Sequence, residues 1–394
     1  MTPPSKDQFE ARLHYPLGDT LPAPGRALVV APGVKWIRMA LPFALDHINL
    51  WLLRDTLDDR EGWTVVDCCI SRDEAKAQWE QLFANELDGL PVLRVIVTHM
   101  HPDHIGLAHW LCERWSGDPG AEPPQAGVSP LGGQRPAQRR SPGFTPQGGR
   151  RLGVCHLWIS ATDYNAARIG SQSTTGFGGA SAADFFAAHG MTDPDSLEKI
   201  RDRASYYPSM VPAVPRQFRR LMDGQRVRIG GRDWRCISGY GHAPEHMALY
   251  CDPLQVLISG DMVLPRISTN VSVYDVEPES DPLLQFLDSL DKYLPLPEAT
   301  LVLPSHGKPF TGLHERIQQL KDHHTERLAE LLDACRATPC SGADAVAVLF
   351  RRPLDLHQTT FAMGEAVAHL HRLWFDGLVR RERDAEGIWR FRAI

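Results

Sequence analysis

Six consecutive positions of the stretch VTHMHPDHIG hold His99, His101, Asp103 and His104. The apolar, β-branched run LRVIVT before them predicts a short strand, and IGLAHWLCERW behind them predicts a helix. Pro102 keeps His101 extended, so the cluster occupies a strand-to-helix loop, a usual address for catalytic side chains. Any fold for this chain must end a strand at that loop.

The remaining sequence supplies strands in two blocks. ALVVAPGVKWIRMALP, INLWLLRD and WTVVDCCIS are apolar runs bounded by Gly, Pro or Asp and predict a hairpin-rich opening sheet. RDEAKAQWEQLFANELDG has helical spacing and stops at Gly89. Residues 117–153 then turn rich in Gly, Pro, Gln and Arg, with too little apolar content to pack, and predict a disordered surface insertion. Residues 160–222 predict a mainly helical region, ending in the Pro-broken PSMVPAVPRQFRRLMDG. Strand signals return in QRVRIGGRDWRCISGYGH, with a hairpin at Gly230-Gly231, and continue through MALYCD, VLISGD and TLVLPSHG. From residue 315 a long helix, two shorter helices and a closing hairpin describe a winged-helix-like unit, which divides the chain into 1–314 and 315–394.

At 394 residues the chain exceeds one compact core, and its net charge of −6 offers no global positive field for nucleic acid or anionic lipid. Its start lacks the pattern of a secretory signal and no apolar run is long enough to span a bilayer, so a cytoplasmic location without membrane association is expected. The eight cysteines form no C-x-x-C pairs and read as buried thiols.

Imidazole and carboxylate together bind zinc and similar divalent ions. Besides the four residues of the loop, His242, Asp261 and His306 stand at the ends of predicted strands, in GYGHAPEH, ISGDM and LPSHGKPF. Seven donors overfill one tetrahedral ion, whereas two ions about 3.5–4 Å apart that share a carboxylate accommodate them.

THMHPDHIG resembles the H-x-H-x-D-H signature of the metallo-β-lactamase fold superfamily, with Asp67, His242, Asp261 and His306 following the family's order. That resemblance implies a four-layer αββα sandwich over residues 26–312 and a winged-helix-like extension behind it. It implies a first ion on His99, His101 and His242, a second on Asp103, His104 and His306, and Asp261 between them. Zinc is the expected metal, with manganese or iron as alternatives. Asp67 would support the histidine loop by hydrogen bonding. His109, His246, His314, His323, His324, His369 and His371 have no counterpart in the ligand motifs and are left outside the site.

The implied reaction is hydrolysis by a metal-bridging hydroxide, with Asp103 as the acid–base residue. A small acyl substrate, thioester, ester or lactone, is expected. The helical region would lie over the pocket by analogy, with Phe185, Phe186, Tyr206, Tyr207 and Met210 facing the substrate and Arg266 as a candidate anion contact. A ribonuclease or phosphodiesterase of the same superfamily is the first alternative, disfavoured by the acidic balance. A DNA-binding regulator is the second: the segment TTFAMGEAVAHLHRLWFDG reads as a packing helix, and only Arg380, Arg381, Arg383, Arg390 and Arg392 make the wing basic. Oligomeric state leaves no mark in the sequence.

Overall fold

The computed structural model describes residues 10–116, 154–172, 178–203 and 205–394. The stretch expected to be disordered, 117–153, lies outside them. Seven strands form the first sheet in chain order: β1 (Leu28–Ala31), β2 (Val34–Ala40), β3 (His47–Leu57), β4 (Arg60–Val66), β5 (Val92–Ile96), β6 (His156–Ser160) and β7 (Phe218–Leu221). β1 to β4 pair antiparallel and β4 to β7 parallel. The second sheet has the order β12-β11-β10-β9-β8, built from β8 (Arg226–Ile229), β9 (Arg232–Gly239), β10 (His246–Cys251), β11 (Val256–Gly260) and β12 (Leu301–Pro304).

The central strands are apolar on both faces because each face meets a different core. Along β3, Ile48, Leu50 and Leu52 point to one cluster and Trp51 and Leu53 to another, as the two-residue period of a strand requires. The inner cluster joins the sheets, with Trp36, Trp51 and Trp158 of the first against Trp234, Met247 and Leu249 of the second. The outer face of the first sheet is covered by α1 (Asp73–Asn85), α2 (Pro102–Ile105), α3 (Ala108–Arg114) and α4 (Ala161–Gly170). After α5 (Gly179–Ala188), α6 (Pro194–Arg201) and α7 (Tyr206–Met210) the chain reaches the second sheet, whose outer face is covered by α8 (Pro282–Asp291) and the first half of α9 (Leu313–Ala337). Helix, sheet, sheet and helix thus form the expected four-layer αββα sandwich.

Several expectations shift. FRRL, expected at the end of the helical region, is the edge strand β7, because Pro212 and Pro215 keep the chain from continuing as a helix and the open edge of β6 accepts it. The division at residue 314 falls in the first turn of α9, whose Leu313, Ile317 and Leu320 pack on the second sheet while Leu331 and Cys335 enter a separate carboxy-terminal cluster. That cluster also holds α10 (Gly342–Leu349), α11 (Leu356–Phe375) and the hairpin β13 (Val379–Arg383) with β14 (Trp389–Ala393). Phe185 and Phe186 pack against Met363 and Val367 of α11 rather than over the pocket. On the wing, Arg381 lies over the rings of Trp374 and Trp389 and bonds Glu279, and Arg390 pairs with Asp384 and Asp344. All eight cysteines are buried and free, and no helix among the described residues is long and apolar enough to cross a membrane.

Candidate metal centre

The loop after β5 is held from below by Asp67, which follows β4. Asp67 takes a left-handed conformation (φ 61°) that acidic residues tolerate, and its buried carboxylate accepts the Thr98 N–H at 2.8 Å and the His104 Nδ1–H at 2.8 Å. The Thr98 hydroxyl also donates to Asp67 (2.9 Å), which leaves its oxygen to accept from His99 Nδ1 at 3.0 Å. Pro102 opens the one-turn helix α2, which carries Asp103 and His104.

The other donors arrive from the second sheet at its strand ends. His242 follows β9, Asp261 follows β11 and His306 follows β12. His242 Nδ1 donates to the Asn270 carbonyl at 2.7 Å and His306 Nδ1 to the His47 carbonyl at 2.7 Å. A carbonyl can only accept, so Nδ1 carries a proton in both rings and Nε2 is the atom that faces inward. Nε2 of His99 lies 2.9 Å from His101 Nδ1 and 3.2 Å from His242 Nε2.

Among the described residues three overlapping donor groups result, each with its donor atoms within 4.8 Å of one another: the triad His99, His101 and His242 on one side, the triad Asp103, His104 and His306 on the other, and His99, His104 and Asp261 linking them. Asp261 stands between them, with Oδ2 at 3.3 Å from His242 Nε2 and 3.6 Å from His104 Nε2, and Oδ1 at 3.5 Å from His306 Nε2. His104 Nε2 and Asp261 Oδ1 are buried without a hydrogen-bond partner. Orphaned ligand atoms of this kind are costly unless a cation satisfies them, so the chemistry of the set fits divalent cations.

Charge separates the halves. Burial, reinforced by the neighbouring imidazoles, pushes His99 well below its ordinary pKa, and burial with the His242 ring lowers His101 to about 3. In the other half burial opposes charge on His306, but the carboxylates of Asp261 and Asp103 outweigh it and raise its pKa to about 10. Burial likewise opposes charge on Asp103, and His104 and His306 outweigh it, lowering its pKa to about 2. A cation entering this half must displace protons. Ion uptake by the ion-free protein should therefore release protons and tighten as pH rises toward about 10, which calorimetric titration in buffers of different ionisation enthalpy would measure.

Two residues outside the expected set belong to this architecture. His246, at the start of β10, is fully buried, its ring centroid is 5.0 Å from that of His99, and its Nε2 accepts the Asp261 N–H at 3.2 Å. Gly260 makes room for it: a Cβ there would lie 2.1 Å from His246 Nε2. Asp163, at the start of α4, accepts the Met100 N–H at 2.8 Å and the Glu245 N–H at 2.6 Å, tying the two histidine loops together. Burial raises its pKa to about 6 against those bonds. In the sequence Asp163 reads as an ordinary helix-start residue, and His246 is one of many unplaced histidines. Asp163→Asn keeps the shape but presents an amide N–H₂ where an acceptor is needed, so metal affinity should fall about 10–100-fold in a competition titration with a chelator.

The centre opens into a cavity of about 680 Å³. Tyr206 and Met210 line it, but Tyr207 is buried and turns its hydroxyl to the Met100 carbonyl, so it acts on the loop and not on the cavity. Arg266 lies outside the lining in an ion pair with Glu10.

Residues 44–306 match the profile of the family described as "Metallo-beta-lactamase superfamily", and residues 328–394 that of "Metallo-beta-lactamase-like, C-terminal domain". A beta-lactamase domain protein of known structure from Burkholderia ambifaria is 50% identical, with 98% of this chain and 99% of that one covered at a TM-score of 0.84. A metallo-beta-lactamase family protein from Thermus thermophilus shares the fold at 24% identity and a TM-score of 0.66, covering 93% of this chain and 100% of that one. The "Probable metallo-hydrolase YqjP" of Bacillus subtilis (strain 168) is 26% identical over 184 residues, 45% of this chain and about half (54%) of that protein's length.

Proposed function

Because the chain belongs to the metallo-β-lactamase superfamily, we propose that it is a dinuclear-metal-dependent hydrolase of a small acyl substrate, a thioester, ester or lactone. The observation that carries this reading is the pair of donor triads with Asp261 between them, open to a cavity of largely apolar lining. In this reading His99, His101 and His242 would hold one ion and Asp103, His104 and His306 the other, with the Asp261 carboxylate within reach of both sets. The ions, zinc with manganese or iron as alternatives, would supply Lewis acidity and bring the pKa of water toward neutrality.

The chain's own residues orient and move protons. The Nδ1 anchors on Thr98, Asp67, Asn270 and His47 keep four imidazoles from turning, so the donor set is organised before substrate arrives. Asp103 has the more exposed carboxylate, 19% against 9% for Asp261, and it lines the cavity. It is therefore assigned the proton transfer, taking a proton from the attacking water and returning it to the leaving alcohol or thiol as the acyl C–O or C–S bond breaks.

Elemental analysis of metal-replete, chelator-free protein should give about two ions per chain. One or fewer would remove the dinuclear mechanism. The same metal-analysed protein, assayed on thioesters, lactones and a generic phosphodiester, should prefer the acyl substrates; a preference for the phosphodiester would replace this reading with the nuclease one.

A further inference from the structure

The cavity above the candidate centre is not built by the sandwich alone. One wall comes from the loop at residues 41–45 and from α7, with Phe43 and Met210; the facing wall comes from the α10–α11 connection and the start of α11, with Phe350, Leu354 and Phe361. The two walls touch at His357 of α11, whose ring stacks on Phe43 at 5.7 Å and 6° and whose Nε2 meets the Tyr206 hydroxyl. These apolar side chains are each only partly buried, so their remaining surface faces the cavity and awaits an apolar occupant.

Charge narrows the occupant. Among the described residues of the lining, Arg352 is the one lysine or arginine, against Asp103, Asp261, Asp355 and Glu365, and its Nη1 is bonded to Gln358 Oε1 at 2.9 Å. Asp103 and Asp261 belong to the candidate centre; on the rest of the lining Asp355 and Glu365 outnumber Arg352, so a polyanionic group would meet net negative charge on the wall away from the centre. The volume, about 680 Å³, falls in the range of about 300–1,000 Å³ typical of small-molecule sites.

We propose that the carboxy-terminal unit forms an acyl-chain subsite over the candidate metal centre, holding an uncharged alkyl chain between Phe43, Leu354 and Phe361. The proposal rests on the hydrolase reading for the fate of that chain, but chain binding can be measured without turnover. The probes are linear carboxylates from butanoate to dodecanoate, titrated calorimetrically into the full-length, metal-replete protein. Affinity should rise about fourfold per methylene until the cavity is filled. Leu354→Trp, which fills the subsite, should reduce the ratio of dodecanoate to butanoate affinity about tenfold. Phe361→Ala, which removes wall surface, should flatten the slope, so the outcome does not depend on one variant folding. An affinity independent of chain length, or a parallel loss for short and long chains in both variants, overturns the subsite. Turnover of 4-nitrophenyl esters of the same acids is followed alongside. A steep binding slope without cleavage of any ester, thioester or lactone keeps the subsite and defeats the hydrolase reading; cleavage with a flat slope does the reverse.

Discussion

Asp103→Asn should lower kcat by about 10²–10⁴-fold, the usual contribution of a positioned acid–base group. The side chain lies 3.4 Å from His306 Nε2 and 3.7 Å from His104 Nε2 at the floor of the cavity. Asparagine keeps its volume but removes both the charge that would favour an ion and the basicity that would receive a proton. The fold should survive, because the carboxylate is partly exposed and its neighbours are the other candidate donors rather than core packing. Loss of one ion would also slow the reaction, so metal content, melting temperature and kcat are measured on the same preparation. Retained metal with a collapsed kcat isolates the proton-transfer role; reduced metal locates the effect in ion binding. Turnover near the wild-type rate would eliminate both roles and favour a mononuclear site.

The largest stability effect is expected far from the centre. Asp55 on β3 and Arg94 on β5 form an ion pair of 2.6 Å with both side chains at 2% exposure or less. Asp55 also accepts the Thr64 hydroxyl (2.6 Å) and the Gly230 N–H (2.9 Å), while Arg94 donates to the Arg228 carbonyl (2.6 Å). Gly230 and Arg228 belong to the β8–β9 hairpin, so this network clasps the two sheets together. Asp55→Ala leaves a guanidinium in the interior without its counter-charge and should cost about 3–5 kcal/mol. Replacing the pair together, Asp55→Leu with Arg94→Met, should cost less than the single change, because no charge is then stranded. Denaturant unfolding of the three variants measures this. A loss below about 1 kcal/mol for Asp55→Ala would mean that water reaches Arg94 and that the sheets are held by apolar packing alone.

How much of this was legible beforehand depends on the distance along the chain between the parts. His99, His101, Asp103 and His104 could be read as one cluster because neighbours in sequence must be neighbours in space, and Pro102 restricts the turn between them. The apolar strands and the long helix were equally plain, since periodicity is a local property. His242, Asp261 and His306 carried only a hint, a histidine or aspartate beside glycine at a strand end, and their grouping came from the order of motifs in a resembling family. Nothing local distinguishes His246 from His314 or Asp163 from any other helix-start aspartate; each has its role because two sheets pack face to face and bring β10 and α4 against the histidine loops. Arg94 stands inside the strand run LRVIVT, but its partner lies 39 positions away and is chosen by strand pairing. The same holds for the cavity. Helix α11 was readable as a packing helix, but that its first turn walls the site could be decided only by how the carboxy-terminal unit docks, and docking is settled by the fit of surfaces that no single segment contains.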